Sequence, residues 1–148
     1  MRALVGLGLA LALAACDTSA PVKPADEKAP EAKLGSVALD APIRALGTEP
    51  FWHVDIETAG LVLTRIDQQP LTASNKGFEA NGNVAFWTSA LPDQTPFKVT
   101  LTAEDCSDGM SDRVYPLSAK VEIGAETLTG CAASIEALER ASEAGRVE

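Results

Sequence analysis

From about residue 43 to residue 131, apolar and polar side chains alternate with a period of two. In FWHVDIE (51–57), Trp52, Val54 and Ile56 share one face, while His53, Asp55 and Glu57 take the other. GLVLTRI follows after Thr58-Ala59, so the two runs read as a hairpin. NVAFWTS is introduced by the turn Asn81-Gly82-Asn83. FKVTLTAE sets Phe97, Val99 and Leu101 against Lys98, Thr100 and Thr102. YPLSAKVEI puts Tyr115, Leu117, Ala119, Val121 and Ile123 on one face, and Gly124-Ala125 turns the chain into ETLTGC. Gly, Pro, Asn and Asp punctuate these runs at intervals of about ten residues. The pattern predicts a mainly-β domain over 43–135, a small antiparallel β-barrel or sandwich. Only AASIEALERASEA (132–144) has a helical look, which predicts a short C-terminal helix or a frayed tail over 136–148.

The N-terminus breaks this pattern. Met1-Arg2 carries one positive charge, and residues 3–12 are almost purely Ala, Leu, Gly and Val. A short apolar stretch behind a positive charge is a secretory signal, too short to span a bilayer. Leu13-Ala14-Ala15-Cys16 resembles the bacterial lipobox. The resemblance implies cleavage before Cys16, acylation of its thiol and amine, and attachment to the membrane through lipid. Residues 1–15 are then a lipoprotein signal peptide. Asp17 resembles an enterobacterial inner-membrane retention signal and tilts the choice toward the inner membrane. Residues 16–42 contain four prolines, mixed charges and no aromatic side chain. Such a stretch buries too little surface to offset its ordering entropy, which predicts a flexible, disordered tether.

Cysteine arithmetic follows from the anchor. The chain has three cysteines, and with lipid on Cys16 the remaining pair is Cys106 and Cys131. Exported proteins fold where disulfides persist, so a Cys106–Cys131 bridge is expected. It closes a loop of about 25 residues, a gain of about 3–4 kcal/mol in the chain-entropy model.

Removing the signal peptide leaves 11 basic and 21 acidic side chains, a net charge of −10. Such a surface repels nucleic acid and anionic lipid and attracts basic partners.

Candidate chemistry is sparse. His53 is the only histidine. A Ser-His-Asp site would pair it with Ser107 or Ser111, yet no G-x-S-x-G elbow is present. Zinc would need more His or Cys ligands than the chain offers. Asp105, Asp108 and Asp112 surround a glycine, but their spacing departs from the EF-hand order and no bidentate Glu closes it. No metal or cofactor is expected. Asp108-Gly109 reads instead as a turn, and the stretch Asp108, Gly109, Met110, Ser111, Asp112, Arg113 is the candidate binding loop. Trp52 reads as core. Its other reading is the floor of a candidate pocket with Glu49 or His53 at the rim.

GTEPFW (47–52), CSDGMSDRVYP (106–116) and GCA (130–132) together resemble a family of uncharacterised bacterial envelope lipoproteins, similar in size and setting to META/HslJ-type β domains. The resemblance implies a lipoprotein β domain and carries no activity. MliC-type inhibitors of c-type lysozyme are a weaker resemblance. SDRVY shares Ser111 and Tyr115 with their Ser-Gly loop ending in Tyr, but lacks its glycines. These features lead to one expectation: a lipid-anchored, periplasm-facing β domain that binds an envelope partner or small ligand and does no chemistry. The alternatives are lysozyme inhibition and an envelope hydrolase using His53 and Ser111.

Overall fold

The structure is a computed structural model and describes residues 32–148. The expected signal peptide, Cys16 and the tether up to residue 31 lie outside the described residues. The described chain is mainly β, with one short helix. The strands are β1 (Lys33–Leu34), β2 (Val37–Ala38), β3 (Ile43–Thr48), β4 (Phe51–Glu57), β5 (Gly60–Arg65), β6 (Leu71–Ala73), β7 (Glu79–Asn81), β8 (Val84–Ala90), β9 (Pro96–Cys106), β10 (Asp112–Ile123) and β11 (Glu126–Ser134). The helix α1 (Ile135–Arg140) and a last strand, β12 (Ala144–Arg146), complete the chain.

The large sheet runs β6-β5-β4-β3-β11-β10-β9-β8-β7, antiparallel at every step. Its two edge strands, β6 and β7, are successive in sequence. Their connection is tied to both flanks: Asn75 Nδ2 donates to the Glu57 carbonyl at 2.7 Å, and Ser89 Oγ donates to the Ser74 carbonyl at 2.7 Å. The sheet therefore curls into a barrel with this connection as its seam. The inward residues fuse into one core that includes Trp52, Val54, Leu63, Trp87, Phe97, Leu101, Leu117 and Val121. The alternation of β4, β8, β9 and β10 produces this, because one face of each strand must leave water.

Three expectations change. The domain begins about ten residues earlier than the pattern predicts. Leu34, Val37 and Leu39 are buried in the same core as Trp52, so the β1–β2 hairpin closes a barrel end and residues 33–42 are not tether. These aliphatic side chains stand among prolines and charges, and the barrel supplies the burial that the segment lacks by itself. The helix covers six residues rather than the stretch 132–144, because Ala132 to Ser134 pair with Leu117 and with Ala45 to Ile43 in the sheet. Ser134 then caps the helix by accepting from the Ala137 N–H at 3.1 Å. Finally, the tail does not fray. β12 pairs in parallel with β10, Val147 is fully buried, and Arg146 forks onto Asp105 with two bonds of 2.8 Å.

If the N-terminal hairpin belongs to the core, Leu34→Ala should lower the unfolding free energy by about 2–4 kcal/mol, the range for a truncated core leucine. Urea midpoints followed by tryptophan fluorescence measure it. An unchanged midpoint would return this segment to the tether.

Candidate functional site

β9 and β10 are the longest strands, 11 and 12 residues, and their shared hairpin outruns the barrel wall. Between Tyr115 and Leu117 the register shifts: three steps on β9, from Ala103 to Cys106, match two on β10. Pro116 sits in this interval, where its missing N–H costs the ladder least. Beyond it the tip folds over the outer face of β11 and β3. Tyr115 is buried in a second cluster with Cys131, Ala133 and Ala137, against Leu46 and Leu138, and does not continue the inward row of Leu117, Ala119 and Val121. The Cys106–Cys131 disulfide is formed, with a Cα–Cα distance of 5.6 Å, and pins the tip to the wall. Thr48 Oγ1 adds a bond to the Asp108 carbonyl at 3.0 Å.

The loop at the tip is organised by Asp108. Its carboxylate accepts from the N–H groups of Met110 (2.9 Å) and Ser111 (2.8 Å), the Ser111 hydroxyl (2.8 Å) and the Tyr115 hydroxyl (2.9 Å). Partial burial alone would raise its pKa, but these four donors outweigh burial and hold it down at about 2. Tyr115 responds in the opposite sense: its pKa is raised by burial and by the adjacent Asp108 carboxylate. The Ser111 hydroxyl is engaged twice, donating to Asp108 and accepting from the Arg113 N–H at 3.3 Å. Asp105, for its part, is held by Arg146. Among the described residues no group of three or more His, Cys, Asp or Glu is placed to hold a metal ion.

The three motifs singled out in the sequence meet beside this loop. Gly47, Thr48 and Glu49, then Cys106, Ser107 and Asp108, then Gly130 line one recess of about 330 Å³. Two glycines explain why they meet. A Cβ at Gly47 would overlap the Trp52 indole, and a Cβ at Gly130 would overlap the Leu46 carbonyl. Trp52 thus lies over bare backbone, which lets the ring reach the core at 5% exposure.

On the other side of the arm lies a cleft of about 450 Å³. Its walls are the outer faces of β3, β4 and β5, with Arg113 and Tyr115 of the arm opposite. Arg44 stands in it, forked onto Asp55 at 2.6 and 2.8 Å. His53 Nε2 lies 3.9 Å from the same carboxylate. Burial, then the Arg44 charge, lowers the His53 pKa below its usual 6.5, and Asp55 only partly opposes them. Arg113 is held by the Ser142 carbonyl at 2.8 Å and by Glu143 at 3.2 Å. Leu46 forms apolar wall, and Phe51 and Ile66 stand 51% and 64% exposed.

The structure therefore brings Trp52, His53 and Arg113 to one cleft and sends Glu49 and Asp108 to the neighbouring recess. Met110 is 63% exposed on the loop, and Asp112 is exposed as well. No hydrogen bond joins His53 to a serine among the described residues. The sequence pattern alone did not point to Arg44, Leu46 or Ile66. The signal for the first two was the alternation of IRALGT, whose inward positions include the small residues Ala45 and Gly47. Comparison with known proteins adds no relative: no protein-family model, no curated protein and no solved structure matches the chain.

Asp108→Asn should cost about 1 kcal/mol at pH 7, since the amide cannot accept from all four donors. Because the folded pKa lies near 2 and the unfolded value is 3.8, this stabilisation is present above about pH 4 and is lost as pH falls toward 2. Urea midpoints at pH 7, 4 and 2.5 should therefore converge for wild type and variant as pH falls. A constant gap would show that the charge is not what the donors serve.

Proposed function

We propose that the protein is a lipid-anchored envelope protein, facing the periplasm, whose β domain binds a partner or small ligand and does no chemistry. The observation that carries the binding half is the cleft. One residue of the candidate loop (Arg113) and two of the candidate pocket (Trp52 and His53), named for unrelated reasons, line one concave surface held by a disulfide. Its volume falls in the range of small-molecule sites, roughly 300–1,000 Å³. The envelope half is supported by Leu13-Ala14-Ala15 ahead of Cys16 and by a bridge suited to an oxidising compartment. Asp17 favours the inner membrane. The non-enzymatic half is supported by the Ser111 hydroxyl, whose proton goes to Asp108 at 2.8 Å. The family resemblance of the three motifs agrees with this setting.

Two measurements test the proposal. Mass spectrometry of the mature chain should find Cys16 at its N-terminus with acyl mass, and Cys16→Ser should move the protein to the soluble fraction. A chain cut elsewhere without acyl mass overturns the anchor. Native mass spectrometry after incubation with envelope small molecules should show a bound species released at unchanged mass. Release of a cleaved fragment, lost in Ser111→Ala, would give the site to the hydrolase.

A further inference from the structure

We propose that the cleft under the hairpin tip holds a small amphiphile with an apolar body and an oxyanion head, the head lying between Arg113 and Arg44. The inference rests on the reading of the domain as a binding module and gives that module its ligand chemistry.

Three observations converge. The first is charge. The mature chain carries −10, yet this cleft is lined by three guanidinium groups, Arg44, Arg65 and Arg113, of which Arg65 is taken up by Glu126 at 2.7 Å. Burial and the Arg44 charge lower the His53 pKa below its usual 6.5, so the cationic groups offered to a ligand are the arginines, each with a carboxylate partner. Arg44 reaches Asp55 with Nε and Nη2, and its Nη1 makes no hydrogen bond among the described residues. Arg113 is positioned by the Ser142 carbonyl, while its charge partner Glu143 is 94% exposed. An exposed ion pair contributes little, so an oxyanion displaces Glu143 at small cost, and a guanidinium fork matches carboxylate and phosphate alike.

The second is apolar surface. Phe51 and Ile66 are among the few large hydrophobic side chains left open to water, and both border the cleft beside Leu46. Exposed apolar surface beside fixed charge is the arrangement an amphiphile completes. The third is preorganisation. The arm that carries Arg113 is fixed by the Cys106–Cys131 bridge, the Asp108 network and Tyr115 underneath it, so binding need not order the wall.

The test titrates the intact protein, prepared without detergent as Cys16→Ser, with octanoate and octyl phosphate against octanol and octylamine. Backbone NMR shifts read the site. The anions should move the amides of Leu46, His53, Thr64 and Arg113, and the neutral and cationic probes should bind about tenfold or more weakly. Arg113→Gln should weaken the anions by about tenfold. Thr64→Glu, which adds a negative charge on a half-buried outward position of the wall, should do at least as much, about tenfold. Lys98→Gln, over Phe86 on another part of the barrel, should change nothing. Octanol binding the cleft as tightly as octanoate overturns the anion assignment and leaves the binding module standing. No cleft shift with any probe up to about 10 mM overturns both. Vesicles of phosphatidylglycerol separate the sources: sedimentation lost in Thr64→Glu gives the head to a lipid, and free probes binding without sedimentation give it to a soluble amphiphile.

Discussion

The cleft depends first on the covalent tie that folds the β9–β10 tip over the barrel wall, a tie seconded by the pairing of β12 with Asp112 to Val114. Without it the barrel would still have its core, because the inward row from Leu117 to Ile123 lies beyond the register shift. The tip is different. It projects past the wall, and only Tyr115 gives it an apolar underside. A single buried aromatic gains about 1.5–3 kcal/mol, against an ordering cost of about 1–2 kcal/mol for each loop residue. The bridge removes much of that cost from the unfolded chain, about 3–4 kcal/mol, and the four donors around Asp108 order the rest of the loop. The arm is thus a small second layer, held by chemistry more than by burial.

The two layers meet at Gly47 and Gly130. Their bare backbones let Trp52 press into the core from the inner side. On the outer side the Gly130 carbonyl lies 3.4 Å from the Cys106 sulfur. A side chain at Gly47 would overlap the indole, and one at Gly130 would overlap the Leu46 carbonyl of the neighbouring strand. Residues about 60 and 80 positions apart in sequence therefore form one joint, and the three motifs that carry the family resemblance are the parts of that joint. The proposed binding cleft lies beside it, on the outward residues of the same strands.

How much of this was legible depended on side-chain size and on locality. β4, β9 and the inner half of β10 were readable because large residues mark every second position. β3 was not, since Ala45 and Gly47 carry its inward face, and losing β3 meant losing Arg44. The β1–β2 hairpin was hidden by composition: Leu34, Val37 and Leu39 bury themselves only because a barrel end waits for them. The parity of Tyr115 failed at Pro116, where a register shift moves the side chain to another cluster. The bridge was readable by counting. The cleft was not, because it forms only when a hairpin tip lands on a wall some 60 residues earlier in the chain, and no local pattern encodes a landing.

The acidity of the chain and the basic lining of the cleft act over different distances. A net charge of −9 attracts basic partners and repels polyanions from afar, but salt screens it beyond about 8 Å. Inside the cleft a ligand head meets guanidinium groups at hydrogen-bond range, where screening is weak. A small monoanion crosses the outer field at little cost and gains the inner contacts. A nucleic acid or a highly charged polymer meets the outer field along its whole length and gains the same few contacts at one point. Net charge and cleft together thus select by size as well as by sign, and reading the partner from net charge alone captures only the outer of the two fields.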